Sequence, residues 1–157
     1  MPIQTATTVW EGSHVDGKGL MVLGSGHFDE PYSFASRFGD GKGTSPEELL
    51  GAAYCGSLSM ALAHELSLVG FTQMRILTSA KVCLAHVEDE YKIAAVRLNA
   101  EAHVSDISVE KFTECVESSI DKCLVTNTMS NVEVTLTVNL NNGLTSQAAP
   151  QTIYNYG

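Results

Sequence analysis

The segment from Ser45 to Gly70, SPEELLGAAYCGSLSMALAHELSLVG, constrains this chain more than any other stretch. Ser45 suits a helix N-cap, Pro46 suits the first helical position, and Glu48 three residues on completes a capping box. Gly70 is a natural C-terminal stop. Between these signals the few polar positions form no wide stripe, so the helix belongs in the core and not on the surface. Gly51, Ala52, Ala53, Gly56, Ala61 and Ala63 are small enough to let another backbone pack closely. The helix also carries a thiol, Cys55, and two residues later a hydroxyl, Ser57.

The remaining segments read as strands, turns and one more helix. Residues 5–12 (TATTVWEG) form a strand, HVDGKG (14–19) a turn, and LMVLG (20–24) the returning strand. The Gly-rich, polar stretch 24–43 reads as a long loop and carries Arg37. Two long β segments, 74–87 and 91–104, flank Glu-Asp-Glu at 88–90 and make a hairpin. Along the second, Ala94, Val96, Leu98, Ala100, Ala102 and Val104 share one face. A second helix covers 108–124, with Val109, Phe112, Val116, Ile120 and Cys123 as its inward stripe. VEVTLTVNL (132–140) alternates with Val132, Val134, Leu136, Val138 and Leu140 inside. The tail, 141–157, is polar and aperiodic, and is expected to be tied down by contacts. The order of elements predicts an α+β fold, with helices against an antiparallel sheet.

Composition narrows the function. A chain of 157 residues suits a single domain, 1–157, with its core at about 5–140. The net charge of −9 disfavours nucleic acid and anionic membrane surfaces as partners. The stretch MPIQTATTVWEG lacks a basic region followed by an apolar one, so no secretory signal is expected. The longest uncharged apolar run, Leu49 to Ala63, is too short to span a bilayer. A soluble cytoplasmic protein is therefore the expectation. Four cysteines make no disulfide scaffold at this size; in a reducing compartment they are buried hydrophobes, metal ligands or redox thiols.

On the residues alone, Cys123 is either a small buried hydrophobe or a thiol facing another thiol on the long helix; its stripe favours packing. Cys55 lies too far into its helix to feel the N-terminal dipole, so a reactive Cys55 needs a nearby cation. Arg37 is the natural one, although a solvated loop residue is the simpler reading. Glu47 is favoured in a first turn without any catalytic role. Cys83 and His86 fall on opposite faces of a strand, which argues against a metal site, and Cys115 reads as packing. His64 beside Glu65 reads as a polar contact. Ser57 lacks the nucleophile elbow of a hydrolase, and GDGKGTS has the wrong spacing for a phosphate loop.

Several motifs together, VWEGSHVDGKG, PYSFASRFG, GTSPEELLGAAY with SMALAHEL, and CLVTNTM, resemble the OsmC/Ohr family, and its osmotically inducible OsmC branch more closely. The resemblance runs from about residue 6 to 140. It implies an OsmC-like fold, antiparallel sheets wrapped around two long central helices of an intertwined homodimer. It also implies a thiol peroxidase that reduces organic hydroperoxides to alcohols in oxidative and osmotic stress defence, without metal or organic prosthetic group. By motif, the resolving Cys is Cys123, the Arg that polarises the peroxide is Arg37, and the Glu that holds it is Glu47. An external dithiol of the lipoyl type is the implied reductant.

The sequence departs from the family at the nucleophile. Its flanks, GAAY and SMAL, align without a gap, and that register puts Ser57 at the peroxidatic position and displaces the sulfur to Cys55. Two residues on a helix turn a side chain by about 200°. A serine hydroxyl is not appreciably ionised at neutral pH, so it cannot stand in for a thiolate. Three readings follow. Cys55 is a relocated nucleophile working with Cys123; the interface pocket binds an apolar small molecule without chemistry; or all four thiols only pack.

Overall fold

The computed structural model describes residues 1–129, 131–144 and 151–156. The chain divides into two compact units, Met1–Leu49 and Leu50–Gly157. Among the described residues, no helix is long and apolar enough to cross a membrane.

The first unit is a three-stranded antiparallel sheet in the order β1-β2-β3, with β1 at Ala6–Glu11, β2 at Lys18–Leu23 and β3 at Asp29–Ser33. The stretch 24–43 is thus not one long loop. It contains β3 and a short helix, α1 (Phe34–Phe38). β3 occupies the sheet edge, where Pro31 costs no ladder hydrogen bond. The Ser33 and Ser36 hydroxyls each accept the other's backbone N–H, at 3.1 and 2.8 Å, and start α1. A Gly-rich loop then returns to β3: the Thr44 N–H donates to Pro31 O at 2.9 Å, and the Ser36 hydroxyl donates to Thr44 O at 2.8 Å. Gly43 makes this possible. Its φ is +116°, and a Cβ there would meet Pro31 O at 2.4 Å.

The long helix, α2 (Pro46–Leu68), begins in the first unit. The Glu48 N–H donates to the Ser45 hydroxyl at 3.1 Å, half of the expected capping box. The Glu48 carboxylate instead accepts from the Thr44 hydroxyl at 2.8 Å.

The second unit carries a four-stranded sheet in the order β4-β5-β6-β7, formed by Met74–Val87, Glu90–Val104, Glu133–Asn141 and Thr152–Tyr156. Glu88 and Asp89, at φ 51° and 65°, make the two-residue turn of the β4–β5 hairpin. The sheet is not wholly antiparallel: β5 and β6 run parallel. The chain between them forms α3 (Val109–Lys122), and a helical crossover returns the next strand in the same direction. β7 arises in the tail, read from sequence as aperiodic. Residues 145–150 and 157 of that tail lie outside the described residues.

The core unites Tyr54, Leu58, Leu62 and Leu66 of α2 with Phe112, Val116 and Ile120 of α3 and the inward residues of β5 and β6. Alternation is as expected from Val96 to Val104, but Ala94 is exposed. The pairing explains it: Cys83 faces Ala95 and Leu84 faces Ile93, so Ala94 is the extra residue of a β-bulge. α2 also differs from expectation. The chain covers one of its faces and leaves Ala52, Ala53, Gly56 and Met60 exposed, Met60 to 76 %. A helix apolar all round reads as fully buried, yet one chain supplies cover for only one side.

Candidate active site

In the first unit, α1 ends on Arg37 and Phe38 and α2 begins with Pro46 and Glu47, and the pinned loop between them brings the Arg37 and Glu47 side chains together. Arg37 Nε donates to both carboxylate oxygens of Glu47, at 3.0 and 3.1 Å, and Nη2 donates to Oε1 at 2.5 Å. Such a fork fixes the plane of the guanidinium as well as its position. The carboxylate is buried, while Arg37 stays 38 % exposed. The hydrogen bond that Arg37 donates to Glu47 raises the Arg37 pKa further, against the opposing effect of burial, so the cation is permanent. Its Cζ lies 4.9 Å from the Phe38 ring centre. Around it Trp10, His14, Tyr32, Phe34 and Phe38 help line a cavity of about 290 Å³.

In the second unit, α2 presents different neighbours on its two flanks. On one flank, a Cβ at Gly51 would touch Val82 and Ala80, and Ser59 hydrogen-bonds Thr78, all on β4. Cys55 lies four residues from each, so it belongs to this β4-facing flank. On the other, Glu65 accepts from Ser118 at 2.7 Å and from Lys122 at 2.8 Å, both on α3. Ser57 shares that flank and meets Cys123, whose Sγ donates to Ser57 Oγ at 3.3 Å. Cys123, the C-cap of α3, is wholly buried. The structure therefore brings Ser57 and Cys123 together and turns Cys55 elsewhere. Burial raises the Cys55 thiol pKa, and the Cys115 thiol is raised for the same first reason. Cys83 and His86 form no shared site: the Cys83 thiol points to Lys81 O, and His86 rests edge-on against Tyr91.

Sequence reasoning missed three hydroxyls near this contact. Tyr54 OH and Thr126 Oγ1 hydrogen-bond at 2.9 Å. Thr126 opens a 3-10 turn, Thr126–Thr128, just after Cys123. The Tyr156 hydroxyl lies close enough to both for each to act on its proton, yet it completes a hydrogen bond with neither among the described residues. Burial, then its Tyr54 neighbour, push its pKa far above the ordinary phenol value, so it stays protonated. A cavity of about 300 Å³, lined by Ile120, Asp121, Thr126, Asn127, Met129 and Tyr156 among others, opens at this turn. The GAAY motif holds Tyr54, three residues before Ser57, and that spacing was the one available signal.

An α+β protein whose long helix sets a side chain against a buried thiol at the end of a second helix has the parts that the motif resemblance implies. The chain is a member of the OsmC-like protein family, whose sequence model matches residues 39–139. It is 38 % identical over 128 residues to Peroxiredoxin OsmC of Escherichia coli strain K12, covering 81 % of this chain and 89 % of that protein, and the same figures hold for Peroxiredoxin OsmC of Shigella flexneri. The fold is shared with the organic hydroperoxide resistance protein OhrB of Bacillus subtilis, at TM-score 0.62 and 23 % identity over 85 % of this chain and 97 % of that one. It is shared too with an organic hydroperoxide resistance protein OsmC from Legionella pneumophila, at TM-score 0.65 and 18 % identity over 88 % and 98 %.

Proposed function

We propose that this chain reduces organic hydroperoxides to alcohols at the expense of an external dithiol, in a reducing cytoplasm, as a homodimer. The observation that carries this reading is the meeting of Cys123 with Ser57: a sulfur on α3 faces the α2 position that the family resemblance assigns to the nucleophile. The names of the relatives, a peroxiredoxin and hydroperoxide resistance proteins, support it. So do four free thiols.

With oxygen at position 57, the sulfur facing that position is Cys123, and we assign the chemistry to it. The Cys123 thiolate attacks a peroxide oxygen, the O–O bond breaks, and the alkoxide takes a proton and leaves as the alcohol. Cys123 is left as a sulfenic acid. A first thiol of the dithiol displaces water to form a mixed disulfide, and the second releases Cys123. Ser57 supplies a hydroxyl to the sulfur throughout. The family resemblance implies for Arg37, held by Glu47, the charge that polarises a peroxide; within its own unit, a fixed guanidinium on an aromatic-walled cavity suits a ligand with a polar O–O end and an apolar body.

Consumption of cumene hydroperoxide driven by dithiothreitol or dihydrolipoamide tests this. Turnover is expected in the wild type and should fall to background in Cys123→Ala. Wild-type turnover in Cys123→Ala, with the fold intact, would remove the assignment.

A further inference from the structure

Strand β7 lies beyond residue 139, where the match to the family ends. Antiparallel pairing with β6 sets Tyr156 opposite Val134, and the Tyr156 ring packs against the core. Its hydroxyl is buried yet makes no hydrogen bond to the described residues. A buried hydroxyl without a partner costs stability, and phenylalanine would fill the same space without that cost. The hydroxyl therefore calls for an explanation, and its surroundings offer one.

Helix α2 reaches Cys123 and the turn after it through two hydrogen bonds. Tyr54 hydrogen-bonds Thr126, and one helical turn further along α2 Ser57 meets Cys123. The Asn127 N–H donates to Cys123 O at 3.2 Å, which ties the backbone at the thiol to the turn after it. Tyr156 approaches the Tyr54–Thr126 pair from a third element, and both tyrosine and threonine oxygens retain lone pairs that can accept its proton.

We propose that Tyr156 is a positioning residue for Cys123: an uncommitted donor that takes up a hydrogen bond in the Tyr54–Thr126 cluster when Cys123 gives up its proton and the turn tightens on Ser57. The proposal rests on Cys123 being the reacting sulfur. It assigns β7 a role in tuning that sulfur, beyond that of closing the sheet edge.

Tyr156→Phe is the test, because it keeps the ring and removes only the hydroxyl. The rate of Cys123 alkylation by iodoacetamide, located by peptide mass spectrometry, should fall about fivefold, the effect of one neutral hydrogen bond. Alkylation of Cys83 should not change, and the melting temperature should hold or rise. In peroxide turnover, kcat should fall by the same factor with KM unchanged. An unchanged Cys123 alkylation rate in Tyr156→Phe overturns the proposal. So does a wild-type Cys123 that resists alkylation altogether, or a lowered melting temperature with all four thiols labelled faster, which marks a packing role. Alkylation needs no peroxide, so the proposal and the peroxidase reading fail separately.

Discussion

Oxygen and sulfur differ at position 57 in what they can give to a redox reaction. A serine hydroxyl can donate to a thiolate or accept from a thiol, but it cannot be oxidised by a peroxide or close a disulfide. The contact to Cys123 is nonetheless kept, at 3.3 Å between the two side-chain atoms. Sulfur in place of that oxygen would set two thiols face to face on the two helices. Ser57→Cys is therefore expected to form a disulfide between the introduced sulfur and Cys123 on exposure to peroxide, seen as a loss of two hydrogens by intact mass. Turnover should rise at least about tenfold, or ~1.4 kcal/mol off the barrier, as an intramolecular step replaces attack by an external thiol. The same gain should survive Cys55→Ala, because Cys55 lies on the β4-facing flank of α2. A variant with no gain would show that the surroundings of position 57 have diverged from peroxide chemistry.

Among the elements, α2 and α3 are clamped by more than their apolar stripes. Glu65 is a nearly buried carboxylate held between Ser118 and Lys122 of α3. The Lys122 hydrogen bond, then that of Ser118, lower its pKa below the ordinary 4.5. The folded state thus binds this proton less tightly than the unfolded chain. Its contribution to stability is present above the unfolded pKa and is lost as pH falls through the folded one. Melting temperature should accordingly decline below about pH 4.5, and Glu65→Gln should lower stability at neutral pH and flatten that acid decline. An unaltered pH profile in the variant would remove Glu65 from the clamp. Much of this layer was legible beforehand. The α3 stripe, the alternation of β6 and the limits of α2 follow from periodicity and capping alone. The unread parts are short or non-local. β3 and β7 have five residues each, too few to show a period. The outward turn of Ala94 depends on a bulge set by the partner strand. Arg37 and Glu47 were legible as motif residues, but their fork depends on Gly43 folding the intervening loop back to Pro31. The proximity of Tyr156 to Tyr54 joins two ends of the second unit, and no local pattern encodes it.

At the scale of the whole molecule, the apolar circumference of α2 is the unmet demand. One face, through Tyr54, Leu58, Leu62 and Leu66, is satisfied by the chain's own sheet and α3. The opposite face carries Ala52, Ala53, Gly56 and Met60 in water. Small residues there let a second helix approach closely, and burying such a face is favourable by roughly 25 cal/mol per Å² of apolar surface. Another α2 matches it with the same small-residue geometry, so a second copy of the chain is the proposed occupant, related by a two-fold axis. Light scattering should then give twice the chain mass at micromolar concentration. Met60→Glu would bury an unpaired carboxylate from each copy in that interface, and is expected to shift the protein to monomer by more than about tenfold in dissociation constant. Met60 lies about one helical turn from Ser57 on α2, so the concentration dependence separates loss of the pair from a direct effect of the charge. If the peroxidase works as a dimer, turnover per chain in Met60→Glu should fall on dilution in step with the mass, and return as concentration restores the pair. A wild type that is monomeric at the same concentrations would break this link between the uncovered helix face and the reaction.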